Sequence, residues 1–415
     1  MTTARVHRLA NGLTIAVEPM DGVETLAVGV YADVGSRSEA AGQGGLAHLV
    51  EHMVFKGAGA RDARAIAEDI EDVGGSLNAW TARDHTVYHA RLLAGDLALG
   101  VDMIADLVRA PKFDPDELER EKKVVLSELG EANDTPDDIV FDHLQSACYP
   151  GQAIGVPVLG DERTLATLTA GDLRRWTEVQ YRPGSLVLAA AGKVDEDALL
   201  ALAEARFGDM PAGVAPTAVA AAFGGGTHHD RRRFDQIHVA AAWPGTGHHD
   251  ADLHALSLFS SAAGGGMSSR LFQQLREERG LAYSIYSWTQ AYAETGLFGL
   301  YCAAEQPRAA EALALARVVL AQTADDLSEA ELARAQAQAK AGWLMGLESV
   351  AARCDRLARD LQVHGRIVPV PETVAAIDAV TVAQARAAGA KAIGGAEALA
   401  TVGGTLSAGS GKVAA

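Results

Sequence analysis

Cysteine is scarce in this 415-residue chain: Cys148, Cys302 and Cys354 are odd in number and far apart. No disulfide framework is expected from them, and each reads as a small buried hydrophobe. Positive charge is also short, with 36 Lys+Arg against 54 Asp+Glu and a net charge of −18. That balance excludes wholesale wrapping of nucleic acid or of an anionic membrane surface. Long apolar runs are missing, and no stretch reaches the roughly 20 residues of a membrane span. The opening MTTARVHRLANGLTIAVEPM lacks the charged start, apolar run and cleavage site of a signal peptide, so a cytoplasmic, reducing location is expected. What is present is 48% hydrophobic residues, enough for a sizeable core, over a length that predicts two or three domains.

The hydrophobic pattern repeats. LAVGVYADVG reads as a buried strand, GGLAHLVEHMVFKG and ARAIAEDIEDVGG as helices, SLNAWTA and HTVYHARLL as a strand pair, and DLALGVDMIADLVRA as a helix. The same order returns with IHVAAAWPG, DADLHALSLFSSAAGGG, SSRLFQQLREERG, LAYSIYSWTQ, TGLFGLYCAA and RAAEALALARVVLAQ. Two copies imply a duplication. The expected fold class is α+β: two similar α/β-layered domains, each a mixed, largely antiparallel sheet packed with helices. The expected boundaries are an N-terminal domain over 1–212, a Gly/Pro/Ala-rich linker without strand or helix periodicity over 213–233, a second domain over 234–402 and a frayed tail over 403–415.

The most informative segment is His48-Leu49-Val50-Glu51-His52, an H-x-x-E-H arrangement. Residues four apart on a helix share a face, so His48 and His52 can point two imidazoles at one ion. Glu51 then stands beside the site, where a base for a metal-activated water belongs. Leu46, Leu49, Val50, Met53 and Val54 form the opposite, core-seeking stripe. The bland alternative is two packed histidines and an incidental glutamate. A catalytic zinc needs a third protein ligand. The helix in FDPDELEREKKVVLSELGE is well started, with Asp114 as N-cap, Pro115 at the first position and Glu117 completing a capping box. Glu121 and Glu128 lie two turns apart on one face of it. Glu128 could ligate and Glu121 could orient a ligand imidazole, although glutamates on so charged a helix are more often solvated.

With these residues in place, the chain resembles the pitrilysin/insulinase family of zinc metallopeptidases, with their inverted zinc motif. Within it, the chain resembles the half-length branch that includes the mitochondrial processing peptidase β subunit. The resemblance spans essentially the whole chain and is densest over Gly44–Arg91, at ELEREKKVVLSEL and at GGGMSSRLFQQLREERGLAYS. It implies the mitochondrial processing peptidase-like metallohydrolase fold and one Zn2+ per chain. The zinc would be held by His48, His52 and Glu128, a glutamate 76 positions beyond the second histidine, with Glu121 behind the ligands and Glu51 as general base. It also implies that Asn78 and Ala79 lie on an edge strand that receives substrate as an added strand, and that Arg276 and Tyr283 of a metal-free second domain contact substrate and steady the oxyanion. The activity implied is endopeptidase cleavage of short or unfolded polypeptides. The assembly implied is a homodimer in which Arg276 and Tyr283 complete the neighbouring protomer's site, with a heterodimer possible. The alternative is a non-catalytic core subunit of a heterodimeric peptidase, or a membrane-complex scaffold. No nucleic-acid or membrane partner is expected.

Other clusters read as structural. His248, His249, Asp250 and His254 open a helix and favour capping and solvation. His228 and His229 read as solvated linker residues, and His85 and His89 as packing residues on a strand. GGGMSSR lacks the Gly-Lys-Ser/Thr of a phosphate loop and reads as a mobile or close-packing loop ahead of the Arg276 helix.

Overall fold

Alternating and continuous apolar runs give most strands of two large sheets, and a third sheet has only two short strands. The computed structural model describes residues 4–406, so 407–415 of the expected tail lie outside the described residues. The strands of the first half are β1 (Arg5–Arg8), β2 (Thr14–Pro19), β3 (Thr25–Ala32), the short β4 (Gly57–Ala58) and β5 (Arg61–Asp62), β6 (Ser76–Thr81), β7 (Thr86–Leu93) and β8 (Leu186–Gly192). Those of the second are β9 (Gly226–Asp230), β10 (Ile237–Pro244), β11 (Ser284–Ala291), β12 (Gly296–Ala304) and β13 (Ala398–Val402). The helices are α1 (Leu46–Val54), α2 (Ala63–Glu71), α3 (Leu97–Arg109), α4 (Pro115–Asp134), α5 (Pro136–Cys148), α6 (Glu162–Thr167), α7 (Ala170–Gln180) and α8 (Glu196–Phe207). They continue with α9 (Leu253–Gly264), α10 (Ala309–Asp326), α11 (Glu329–Gly346), α12 (Val350–His364), α13 (Val370–Asp378) and α14 (Val382–Ile393). The expected helix at SSRLFQQLREERG is a π-helical segment, Phe272–Glu278.

The duplication is written in the topology. One sheet has the order β1-β2-β8-β3-β7-β6 and the other β11-β12-β10-β13-β9. Read from β6 and from β11, both show three antiparallel pairings followed by one parallel pairing, β8 with β2 and β13 with β9. The expected α+β class, with two similar halves of helices on largely antiparallel sheets, is the observed one.

The two compact units interleave along the chain. One runs to Leu129 and adds Val156–Val219 and Leu344–Val368; the other takes Gly130–Gly155, Ala220–Trp343 and the described residues from Pro369. This differs from a simple cut around 213–233, because each half of the chain lends one helix to the other's sheet. In the first unit, α12 lays Val350, Cys354, Leu357 and Ala358 on a face built from Ala16, Ala27, Ala189 and Ala191. In the second, α5 lays Ile139, Val140, Leu144 and Cys148 on Ala240, Ala242, Ala398 and Ala400. Alanine on a strand lets a helix approach closely, and buried apolar area on that face holds it there. Arg353 and Arg356 of α12 also pair with the buried carboxylate of Glu18 on β2.

The expected linker 213–233 is partly strand. Gly226–Asp230 forms β9, parallel to β13 at the sheet edge. Its side chains are mostly exposed, so it carries no apolar alternation to read. His228 and His229 are therefore not simply solvated: His228 stacks on His143 with ring centroids 4.0 Å apart, and His229 Nδ1 lies 2.7 Å from the Thr401 hydroxyl. All three cysteines are buried, as expected.

Candidate metal centre

The helix α1 presents two faces, as its pattern predicts. Leu46, Leu49, Val50, Met53 and Val54 are 0–2% exposed in the core, while His48, Glu51 and His52 line the half-buried opposite side. The helix starts at Gly45, whose φ of 90° is a left-handed conformation and whose added Cβ would meet Leu159 O at 2.7 Å. Gly45 offers no side-chain cap. The carboxylate of Glu39 supplies one instead, accepting from the Gly45 N–H (3.1 Å) and the Ala47 N–H (2.8 Å).

The helix α4 delivers the acids. Asp114 Oδ1 accepts from the Asp116 and Glu117 N–H groups at 2.9 and 3.1 Å, the expected N-cap. The Glu117 side chain pairs with Arg120. Two turns on, Glu121 is 4% exposed and Glu128 is half-buried.

These helices bring three donor atoms together. His48, His52 and Glu128 each offer one ligand atom, all within 4.8 Å of one another, the one such group of three among the described residues. His52 Nε2 lies 3.2 Å from His48 Nε2 and 3.4 Å from Glu128 Oε2. Two atoms bonded to tetrahedral zinc at ~2.0–2.1 Å stand about 3.3–3.4 Å apart. The donor set thus fits a zinc ion, and its nitrogens and carboxylate oxygen are the types zinc prefers. His52 Nδ1 lies 2.9 Å from Glu121 Oε1, so Nδ1–H donates there and the Nε2 lone pair is left facing the site. Burial pulls His48 down to about 4, with the neighbouring His52 adding to the shift, so its imidazole is neutral at pH 7. Burial also lifts the Glu51 carboxyl above the usual carboxylate range, and its buried Oε2 has no hydrogen-bond partner.

Beside the site, β6 is the edge strand of its sheet, paired only with β7. Ala79 faces inward at 8% exposure, while Asn78 is exposed and its Oδ1 accepts the Ala79 N–H at 2.9 Å. His89 is a packing residue, edge-on to Trp80 with centroids 5.1 Å apart.

The sequence itself has relatives. A family model described as insulinase (peptidase family M16) matches residues 14–162, and one described as peptidase M16 inactive domain matches residues 167–339. An uncharacterized zinc protease of Streptomyces coelicolor is 34% identical over 97% of this chain and 90% of its own. One from Mycobacterium tuberculosis is 36% identical over 91% and 88%. The mitochondrial-processing peptidase β subunit of Blastocladiella emersonii is 35% identical over 91% and 83%. The chain belongs to the insulinase family, peptidase family M16. The crystal structure of a peptidase M16 inactive domain from Pseudomonas fluorescens shares the fold of this insulinase-family chain. Its TM-score is 0.90 at 22% identity, over 97% of this chain and 98% of that one.

The insulinase-family second unit keeps its own residues together. The Arg276 guanidinium lies between two aromatic rings, 4.7 Å from the Phe272 centroid and 4.8 Å from that of Tyr283. Tyr283 is 72% exposed, so its hydroxyl is open to a ligand. In the His248–His254 stretch, Asp250 Oδ1 accepts the Asp252 N–H at 2.9 Å just ahead of α9, a turn rather than a ligand role. Two residues at the metal centre went unread in the sequence: Glu39, and Lys56, whose Nζ lies 2.8 Å from Glu121 Oε2. Neither follows from a helical or strand period: Glu39 reaches across a loop to the helix start, and the partner of Lys56 is defined by tertiary contact.

Proposed function

We propose that this chain is a zinc endopeptidase acting on short or unfolded polypeptides, with one zinc per chain held by His48, His52 and Glu128. The observation that carries the reading is the convergence of three donor atoms within 4.8 Å of one another, His52 standing at near-tetrahedral spacing from the other two, with Glu51 beside them on the same helix face. Bound zinc supplies Lewis acidity, polarising a carbonyl oxygen and lowering the pKa of water. Glu51 takes the proton of the attacking water and passes it to the leaving amide nitrogen; its lifted pKa suits both transfers. Glu121 holds His52 in the tautomer that presents Nε2. The open edge of β6 at Asn78 and Ala79 takes the substrate as an added strand, binding backbone rather than particular side chains. Arg276 and Tyr283 steady the oxyanion, Tyr283 by hydrogen bond and Arg276 by charge.

The assembly we propose is a homodimer, each protomer lending its Arg276 and Tyr283 to the neighbouring metal centre. The mitochondrial-processing peptidase β subunit among the relatives favours a heterodimer as the second reading. Mixing an inactive Glu51→Gln chain with an inactive Tyr283→Phe chain separates them: a homodimer that shares sites regains activity, and no recovery refutes the sharing. The peptidase reading itself is tested by Glu51→Gln alone. Zinc content stays at one per chain while kcat for an unstructured peptide falls about 10²–10⁴-fold. Undiminished turnover overturns Glu51 as the base.

A further inference from the structure

We infer that Lys56 is a positioning residue for the metal centre, acting on His52 through Glu121. The inference rests on the zinc reading of His48, His52 and Glu128. Glu121 is a buried carboxylate with both oxygens engaged: Oε1 is 2.9 Å from His52 Nδ1, and Oε2 is 2.8 Å from Lys56 Nζ. The chain Lys56–Glu121–His52 therefore leaves α1 at its C-terminal end, crosses to α4 and returns to α1 at the ligand.

The local backbone explains why Lys56 is well placed. The helix ends at Val54, and the next residues stay in tight turns, with Phe55 N–H donating to His52 O (3.3 Å) and Lys56 N–H to Met53 O (3.1 Å). Lys56 lies four residues after His52, and its side chain is one-third exposed. An ammonium just past a helix C-terminus is also favoured by the helix dipole.

A buried carboxylate oxygen stripped of its partner costs free energy that rotation towards solvent recovers. Glu121 that has turned away no longer fixes the His52 ring or accepts Nδ1–H, and groups that orient a metal-bound imidazole are worth about 10–100-fold in metal affinity. Lys56 acts one contact further out, so the lower end of that range applies. Another acid of α4 that feels its charge, Glu117, is engaged with Arg120 at the exposed start of that helix. Glu121 is therefore the partner Lys56 is built to hold.

The test is zinc affinity of the full chain, measured by competition with a chromogenic chelator, for the wild type, Lys56→Met, Lys56→Arg, Glu121→Gln, His52→Ala and the Lys56→Met/Glu121→Gln double variant. Circular dichroism and melting of the metal-free proteins report folding separately, and Lys56→Gln replaces Lys56→Met if the latter does not fold. Lys56→Met weakens zinc binding about tenfold, Lys56→Arg largely restores it, and Lys56→Met adds less than about twofold once Glu121 is Gln. A merely structural lysine lowers the melting temperature and leaves zinc affinity within twofold of wild type. That result, or an equal loss in the Glu121→Gln background, overturns the inference alone. Wild type that binds zinc no better than His52→Ala overturns the metal reading and this inference with it.

Discussion

Glu39→Gln is the substitution whose effect changes sign with pH. The residue is 8% exposed, and both its oxygens accept backbone N–H groups at the start of α1. Burial pushes its carboxyl up to about 8, against the pull of the N–H groups of Ala47, Gly45 and Leu46. Below the unfolded value of 4.5, native and unfolded chains both carry the proton and the group's stabilisation is complete. Between 4.5 and 8 only the native chain holds it, so stability drains by about 1.4 kcal/mol per pH unit, to a total of roughly 5 kcal/mol by pH 8. Glutamine keeps the shape but turns an amide NH2 towards one of the N–H groups, a mismatch of about 1–3 kcal/mol at any pH. In urea unfolding of the metal-free protein, Glu39→Gln is the less stable at pH 5. Its deficit shrinks as pH rises, and by pH 8.5 it is the more stable by about 2–4 kcal/mol. A deficit that stays constant or grows from pH 5 to 8.5 refutes the reasoning, because the native carboxyl then titrates no higher than the unfolded one.

Three other outcomes follow from the geometry. Glu128→Gln replaces a carboxylate donor by an amide and weakens zinc binding by more than the roughly 10–100-fold typical of orienting partners, read by chelator competition; unchanged affinity moves the third ligand elsewhere. Tyr283→Phe leaves zinc content and KM near wild type and lowers kcat by up to about 10²–10³-fold; an unchanged kcat removes the hydroxyl from the oxyanion site. Arg356→Met leaves the buried Glu18 carboxylate short of a partner and destabilises the first unit by about 3 kcal/mol in thermal melts; a melting temperature within one degree of wild type shows that Arg353 alone satisfies Glu18.

The local chemistry was legible because it is periodic. His48, Glu51 and His52 fall on one face of α1, with Leu49, Val50 and Met53 on the other, as a 3.6-residue repeat requires. Asp114 caps α4 because a short polar side chain before a proline-started helix has its acceptor at the orphan N–H groups. The duplication was legible because two copies of one hydrophobic pattern fold to one strand order. The meeting of Glu128 with the imidazoles was legible only through a family spacing, since nothing local aims residue 128 at residue 52.

The exchange of α5 and α12 between the halves of the chain could not be read at all: each helix covers an alanine-rich sheet face from the other half, and no local period names that face. Likewise β9 carries no alternation, and Glu39 and Lys56 look like ordinary surface charges in the chain. Sequence alone determined which faces are apolar and which residue types could bind a metal, because those depend on neighbours within a turn or a strand. Tertiary structure decided which acid reaches which imidazole, and which lysine holds that acid, because such pairings arise only when burial brings distant segments into contact.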